Sequence, residues 1–147
     1  MLPSRSRIID KIHLFLALSR TPHGILDMAT PAFAALLWLG GFPSFYVTFL
    51  GLLAIFSGYT AVYALNDVVG YESDKEKLES GALRVDGTGG GDLDAMMTRH
   101  PMAQGLLPYR EGVSWTVLWG AVALICAYLL NPVCLLIFLL GCLLEMV

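Results

Sequence analysis

Asn66, Asp67 and Asp74 gather three oxygen-bearing side chains at the place where a long uncharged stretch ends. From Met28 to Asn66 there is no Asp, Glu, Lys or Arg, and acids then arrive at Asp67, Glu72 and Asp74. Carboxylates at the mouth of a membrane span are costly to place and are often functional. At about 100° per residue, Asn66, Asp67, Gly70, Tyr71 and Asp74 share one arc of a helix, while Glu72 points elsewhere. Oxygen ligands stacked on one face suit a hard cation such as Mg2+, which in turn suits a diphosphate. A plainer reading is a solvated helix end, with the acids paired to Lys75 and Lys77 at i,i+3 and i,i+4 spacing. Spacing alone leaves both open.

The elements that must hold these groups are apolar. The chain is 56% hydrophobic and 14% charged, too apolar for an ordinary soluble domain, and reads as an all-α, multi-span transmembrane bundle. Four spans are expected, at about 24–39, 45–65, 113–130 and 133–147, with Gly40–Ser44 and Asn131-Pro132 as breaks. In the second span Gly51, Ala54, Ser57, Gly58 and Ala61 would let a neighbouring helix approach closely. Ile8–Leu18 forms a short surface helix, with Arg7 and Lys11 reaching for headgroups. The interval from about 67 to 112 is expected to be a loop, and its glycine patch at Gly87-Thr88-Gly89-Gly90-Gly91 a linker: no Gly-Lys-Ser/Thr follows, so it is no phosphate loop.

All nine Lys and Arg lie before the first span or in that loop. The positive-inside rule therefore puts the N-terminus and the acid motif on the cytoplasmic side of a multi-pass protein. A net charge of −3 offers nothing to a nucleic acid. Cys126, Cys134 and Cys142 lack zinc-site spacing and read as apolar filler. The last apolar run reaches only 15 residues, with Glu145 near its end, so the sequence is expected to be part of a longer protein.

Three segments together resemble the UbiA superfamily of intramembrane prenyltransferases. Asn66, Asp67 and Asp74 match its Asn-Asp-x-x-Asp-x-x-x-Asp motif, with Gly70 where the pattern has its middle Asp. Thr98-Arg99-His100-Pro101-Met102-Ala103-Gln104-Gly105 is similar to its Thr-x-x-Arg-Pro segment, with His100 where a basic residue is usual. Arg20-Thr21-Pro22 resembles the family's start. The resemblance covers the N-terminal half of such a protein, and implies a bundle of about nine helices around a cavity open to the cytoplasm. It also implies Mg2+ as cofactor, a polyprenyl diphosphate as donor, and an aromatic or other lipophilic acceptor. Asn66, Asp67 and Asp74 become metal ligands, directly or through water. Arg20, Arg99 and Lys75 become diphosphate contacts, and Tyr59 and Tyr63 cavity-lining residues. A second motif, Asp-x-x-x-Asp, is absent from the 147 residues and would come from a C-terminal half or a partner chain.

The contrasting expectation is a degenerate, non-catalytic membrane module that binds lipid or a partner bundle. Gly70 favours it, because glycine removes a ligand and a charge together and loosens a helical turn. Glu72, off the ligand face, does not compensate. Asp27 reads as an interfacial cap or ion pair, and His13 and His23 as groups outside any metal site. A CDP-alcohol phosphotransferase fits poorly, for want of an Asp-Gly-x-x-Ala-Arg arrangement with trailing aspartates, and a transporter fits on composition alone, with nothing to specify one.

Overall fold

The structure, a computed structural model, describes residues 4–82 and 97–145, with side chains over 7–82 and 97–144. Its helices are α1 (Ser4–Leu18), α2 (Thr21–Leu39), α3 (Phe45–Val69), α4 (Tyr71–Glu79), α5 (Tyr109–Leu130) and α6 (Pro132–Glu145), and no strand occurs among the described residues. The glycine patch at 87–91 and Arg84 lie outside them, as do the last two residues of the expected fourth span.

The main interface joins α3 to α5. At one end Ala64 packs with Leu18, Met102 and Leu107 against Trp115; at the other, Leu50 and Ala54 pack on Cys126. Sequence number rises along one helix as it falls along the other, so the pair is antiparallel. Ala54, Ser57, Gly58 and Ala61 are buried, as small residues at a close crossing should be. Phe56 meets Trp119 edge-on at 5.4 Å between ring centroids. Gly58 does a different job. A Cβ there would lie 2.8 Å from Cε2 of Phe138, so only a hydrogen fits beneath that α6 ring. Gly51, by contrast, faces open space.

Among the described residues two helices, α3 and α5, are long and apolar enough to cross a membrane, and α6 is a shorter apolar helix. Large apolar side chains also face outward: Trp38 near the end of α2 is 90% exposed, Phe42 in the turn after it 85%, and Phe45 at the start of α3 84%. Apolar surface on that scale fits lipid or partner helices rather than water.

Three boundaries differ from expectation, each for a local reason. The first apolar helix starts at Thr21, with Pro22 in its first turn. The second runs on to Val69, and the expected loop holds α4 and the first turn of α5. Gly70 does not loosen this join, because its φ of −76° and ψ of −5° are helical. Its N–H donates to Asn66 O at 2.8 Å and its carbonyl accepts from Asp74 N at 2.9 Å, so α3 and α4 are almost continuous. Glu72 and Asp74 in the first turn of α4 and Lys77 in its last suit the helix dipole. Gly81, at φ +71°, ends the helix.

The surface helix α1 is clamped onto α5. Phe15 stacks on Trp115 at 4.5 Å, and the Trp115 indole N–H donates to Ser19 Oγ at 2.8 Å. Lys11 does not reach for headgroups. It pairs with both carboxylate oxygens of Glu111, at 2.8 and 2.9 Å.

Candidate functional site

Four segments converge on Asp67, which is buried at the charged end of α3 with 6% of its side chain exposed. Asp74 comes from α4. Seven residues at about 100° each leave it only about 20° round the helix from Asp67, and the near-continuity at Gly70 preserves that register. Arg20 comes from the elbow between α1 and α2, and His100 from the segment leading into α5. His100 Nδ1 lies 3.0 Å from Asp74 Oδ2 and 3.4 Å from Asp67 Oδ1. Arg20 Nη2 lies 3.7 Å from the same Asp67 oxygen. Lys77 sits 3.5 Å from Asp74 Oδ1.

The backbone is bent to make this happen. Arg20, at φ 44°, and His100, at φ 48°, are the non-glycine residues with positive φ among those described. Left-handed backbone costs an L-residue about 1–2 kcal/mol, and here both instances aim a basic side chain at one carboxylate oxygen. The His100 bend is held from behind. Pro101 O accepts the N–H groups of Leu106 and Leu107, and the Gln104 side-chain amide donates to Arg99 O. Met102 and Leu107 are buried in the core beneath, and a Cβ on Gly112 would run into Met102 Sδ. The glycine at 112 lets this segment seat.

Contact with Asp67 is the main cause that pushes the His100 pKa upward; burial pulls it down, the charges of Asp67 and Asp74 add to the rise, and Arg20 opposes it. Arg20 also lies over the Tyr63 ring, 5.8 Å from its centroid, and the Tyr63 hydroxyl donates to Asp27. Asp27 is therefore the acceptor in a side-chain hydrogen bond rather than a helix cap. Beside Asp67 a cavity of about 110 Å³ is lined by Ala17, Arg20, Asp67, Met97, Thr98, Arg99 and His100. A larger apolar groove of about 540 Å³ runs between α2, α3, α5 and α6, with Tyr59 and Phe138 among its walls.

The residues singled out in the sequence divide accordingly. Asp67, Asp74 and Arg20 meet, and Arg99 lines the cavity. Asn66 is exposed and outside the lining, since one residue turns it about 100° from Asp67. Lys75 is exposed and outside it too; Lys77, one turn on from Asp74, makes the ion pair instead. Tyr59 lines the apolar groove, and Tyr63 backs Arg20. Pattern reading marked His100 as unusual but had no means of bringing it to Asp67 and Asp74. Its only sequence signal was a histidine before proline in a segment otherwise similar to the family's.

Among models of protein families, the UbiA prenyltransferase family matches residues 28–147. No curated protein and no solved structure matches the chain. The matched range holds Asp67, Asp74, Arg99 and His100, and leaves Arg20 just outside. Membership implies an integral membrane protein with prenyltransferase-type chemistry. The chain belongs to the UbiA prenyltransferase family.

Proposed function

We propose that the chain forms part of an intramembrane prenyltransferase that moves a prenyl group from a polyprenyl diphosphate to an aromatic or other lipophilic acceptor. The observation that supports this most is the meeting of Asp67, Asp74 and His100, whose ligand atoms all lie within 4.8 Å of one another beside a cavity lined by two arginines. That donor set fits a divalent cation, with Asp67 and Asp74 holding Mg2+ and Asn66 reaching it through water. A bound cation would neutralise negative charge growing on the departing diphosphate. Arg20 and Arg99 would bind diphosphate oxygens, for which guanidinium is well shaped. The apolar groove beside Tyr59 would take the lipophilic chain and keep water from a reactive carbocation. On this reading the four apolar helices span the membrane, the Asp67 end faces the cytoplasm, and a further segment or partner chain adds a second acidic motif.

The test is purified protein in lipid nanodiscs, given a labelled prenyl diphosphate and a panel of acceptors. Metal-dependent diphosphate binding and prenyl transfer are expected; absence of both refutes the proposal. A non-catalytic lipid-binding module is the second reading, favoured by Gly70. Gly70→Asp separates the two. The helical φ there suits a side chain, but its Cβ would sit 3.0 Å from Asn66 O and 3.2 Å from Asp74 Oδ2, so the Asp74 carboxylate and the last turn of α3 must both give slightly. A gain in Mg2+ or diphosphate affinity marks a weakened catalytic site, and no change marks a structural one.

A further inference from the structure

We infer that His100 is itself a metal ligand, and that Asp67, Asp74 and His100 form a site that takes a first-row divalent transition ion in preference to Mg2+. The inference rests on the reading of Asp67 and Asp74 as cation-binding carboxylates. It adds the third ligand and the class of ion.

Distances support the imidazole as ligand. A metal with bonds of about 2.1 Å sets adjacent ligands about 3.0 Å apart in an octahedron and about 3.4 Å apart in a tetrahedron. His100 Nδ1 stands 3.0 Å from one carboxylate oxygen and 3.4 Å from the other. Nδ1 is shielded from solvent and faces both carboxylates without a well-aligned hydrogen bond to either. Nor do the carboxylates depend on an imidazolium for charge balance. Arg20 lies near Asp67 and Lys77 near Asp74, so each acid already faces a cation of its own. The left-handed backbone at His100 and the Pro101 turn hold the ring at this position.

Donor chemistry then selects the ion. Position 70 offers hydrogen, and the space its side chain would enter is next to the Asp74 carboxylate. The third donor arrives from across the site as nitrogen. Mg2+ favours oxygen and keeps its waters, whereas imidazole beside carboxylates suits Mn2+, Fe2+ or Zn2+. A proton competes with the metal for Nδ1, so binding releases it.

The test uses the full chain in nanodiscs with Mn2+ alone, read by titration calorimetry and by pulsed electron paramagnetic resonance. Expected are Mn2+ binding on the order of tenfold tighter than Mg2+, and modulation from a directly bonded 14N nucleus that converts to a 15N pattern in histidine-labelled protein. His100→Gln should erase the nitrogen signal and weaken Mn2+ by about tenfold or more, with Mg2+ affinity changed by less than about threefold. The isotope exchange needs no substitution, so misfolding of the variant does not blunt the test. Mn2+ bound without nitrogen modulation overturns the inference and leaves the carboxylate site standing. No binding of either ion overturns both.

Discussion

Gly51 and Gly58 lie two turns apart on α3, and only at Gly58 would an added methyl press on another helix. Replacing either by alanine removes the same backbone freedom and should favour helix by about 1 kcal/mol. At Gly51 nothing lies within 4 Å of the new methyl, so that gain stands alone. At Gly58 the methyl would sit 2.8 Å from Cε2 and 3.1 Å from Cζ of Phe138. An aromatic ring cannot bend away, so it must turn or α6 must move off α3. Overpacking of this kind costs about 1–3 kcal/mol. Gly58→Ala should therefore fall below Gly51→Ala by about 1–3 kcal/mol in reversible detergent unfolding followed by circular dichroism. Phe138→Leu, which removes the ring, should close most of that gap when combined with Gly58→Ala. Equal stabilities for the two alanine variants, or no recovery in the double variant, would refute the α3–α6 contact.

Trp115→Phe keeps most of the stack on Phe15 but removes the donor to Ser19 Oγ, which is buried; a loss of about 1–3 kcal/mol is expected, with little further loss from Ser19→Ala in the same background. In diphosphate binding measured with labelled ligand, Arg99→Ala should weaken affinity by roughly ten- to a hundredfold, because a charged hydrogen bond contributes roughly 1.5–3 kcal/mol. Lys75→Ala, outside the cavity lining, should stay within about twofold, and a larger loss there would move the diphosphate site toward the exposed face of α4.

Much of the fold was legible because hydrophobic runs and breakers are local signals. Gly40 at φ 64° and Asn131, whose side chain accepts the Val133 N–H, cap helices where the sequence placed turns. Helix α4 was harder to see, since polar residues such as Glu72 and Lys75 describe a surface helix and a loop equally well. At the site, helical periodicity found Asp67 and Asp74 together because both lie on one nearly continuous helix. It placed Asn66 with them by counting the edge of an arc as its centre. His100 needed information that no spacing holds: a left-handed residue, a turn closed on Pro101 O, and a methionine seated over Gly112. Arg20 was named from resemblance, whereas its aim at Asp67 depends on the elbow between α1 and α2.

The α3–α5 pairing also carries a consequence in time. Positions 70 to 108, 39 residues, separate the end of α3 from the start of α5. At about 5–20 residues per second, a ribosome needs roughly 2–8 s to make them. For that interval α3 has been synthesised with Asp67 at its tip, while Trp115 and the rest of its main packing partner do not yet exist. Of the two basic groups facing Asp67, Arg20 precedes α3 in the chain and already exists, whereas His100 does not. The order of the chain therefore makes the Arg20–Asp67 pair possible before the rest of the site has been synthesised.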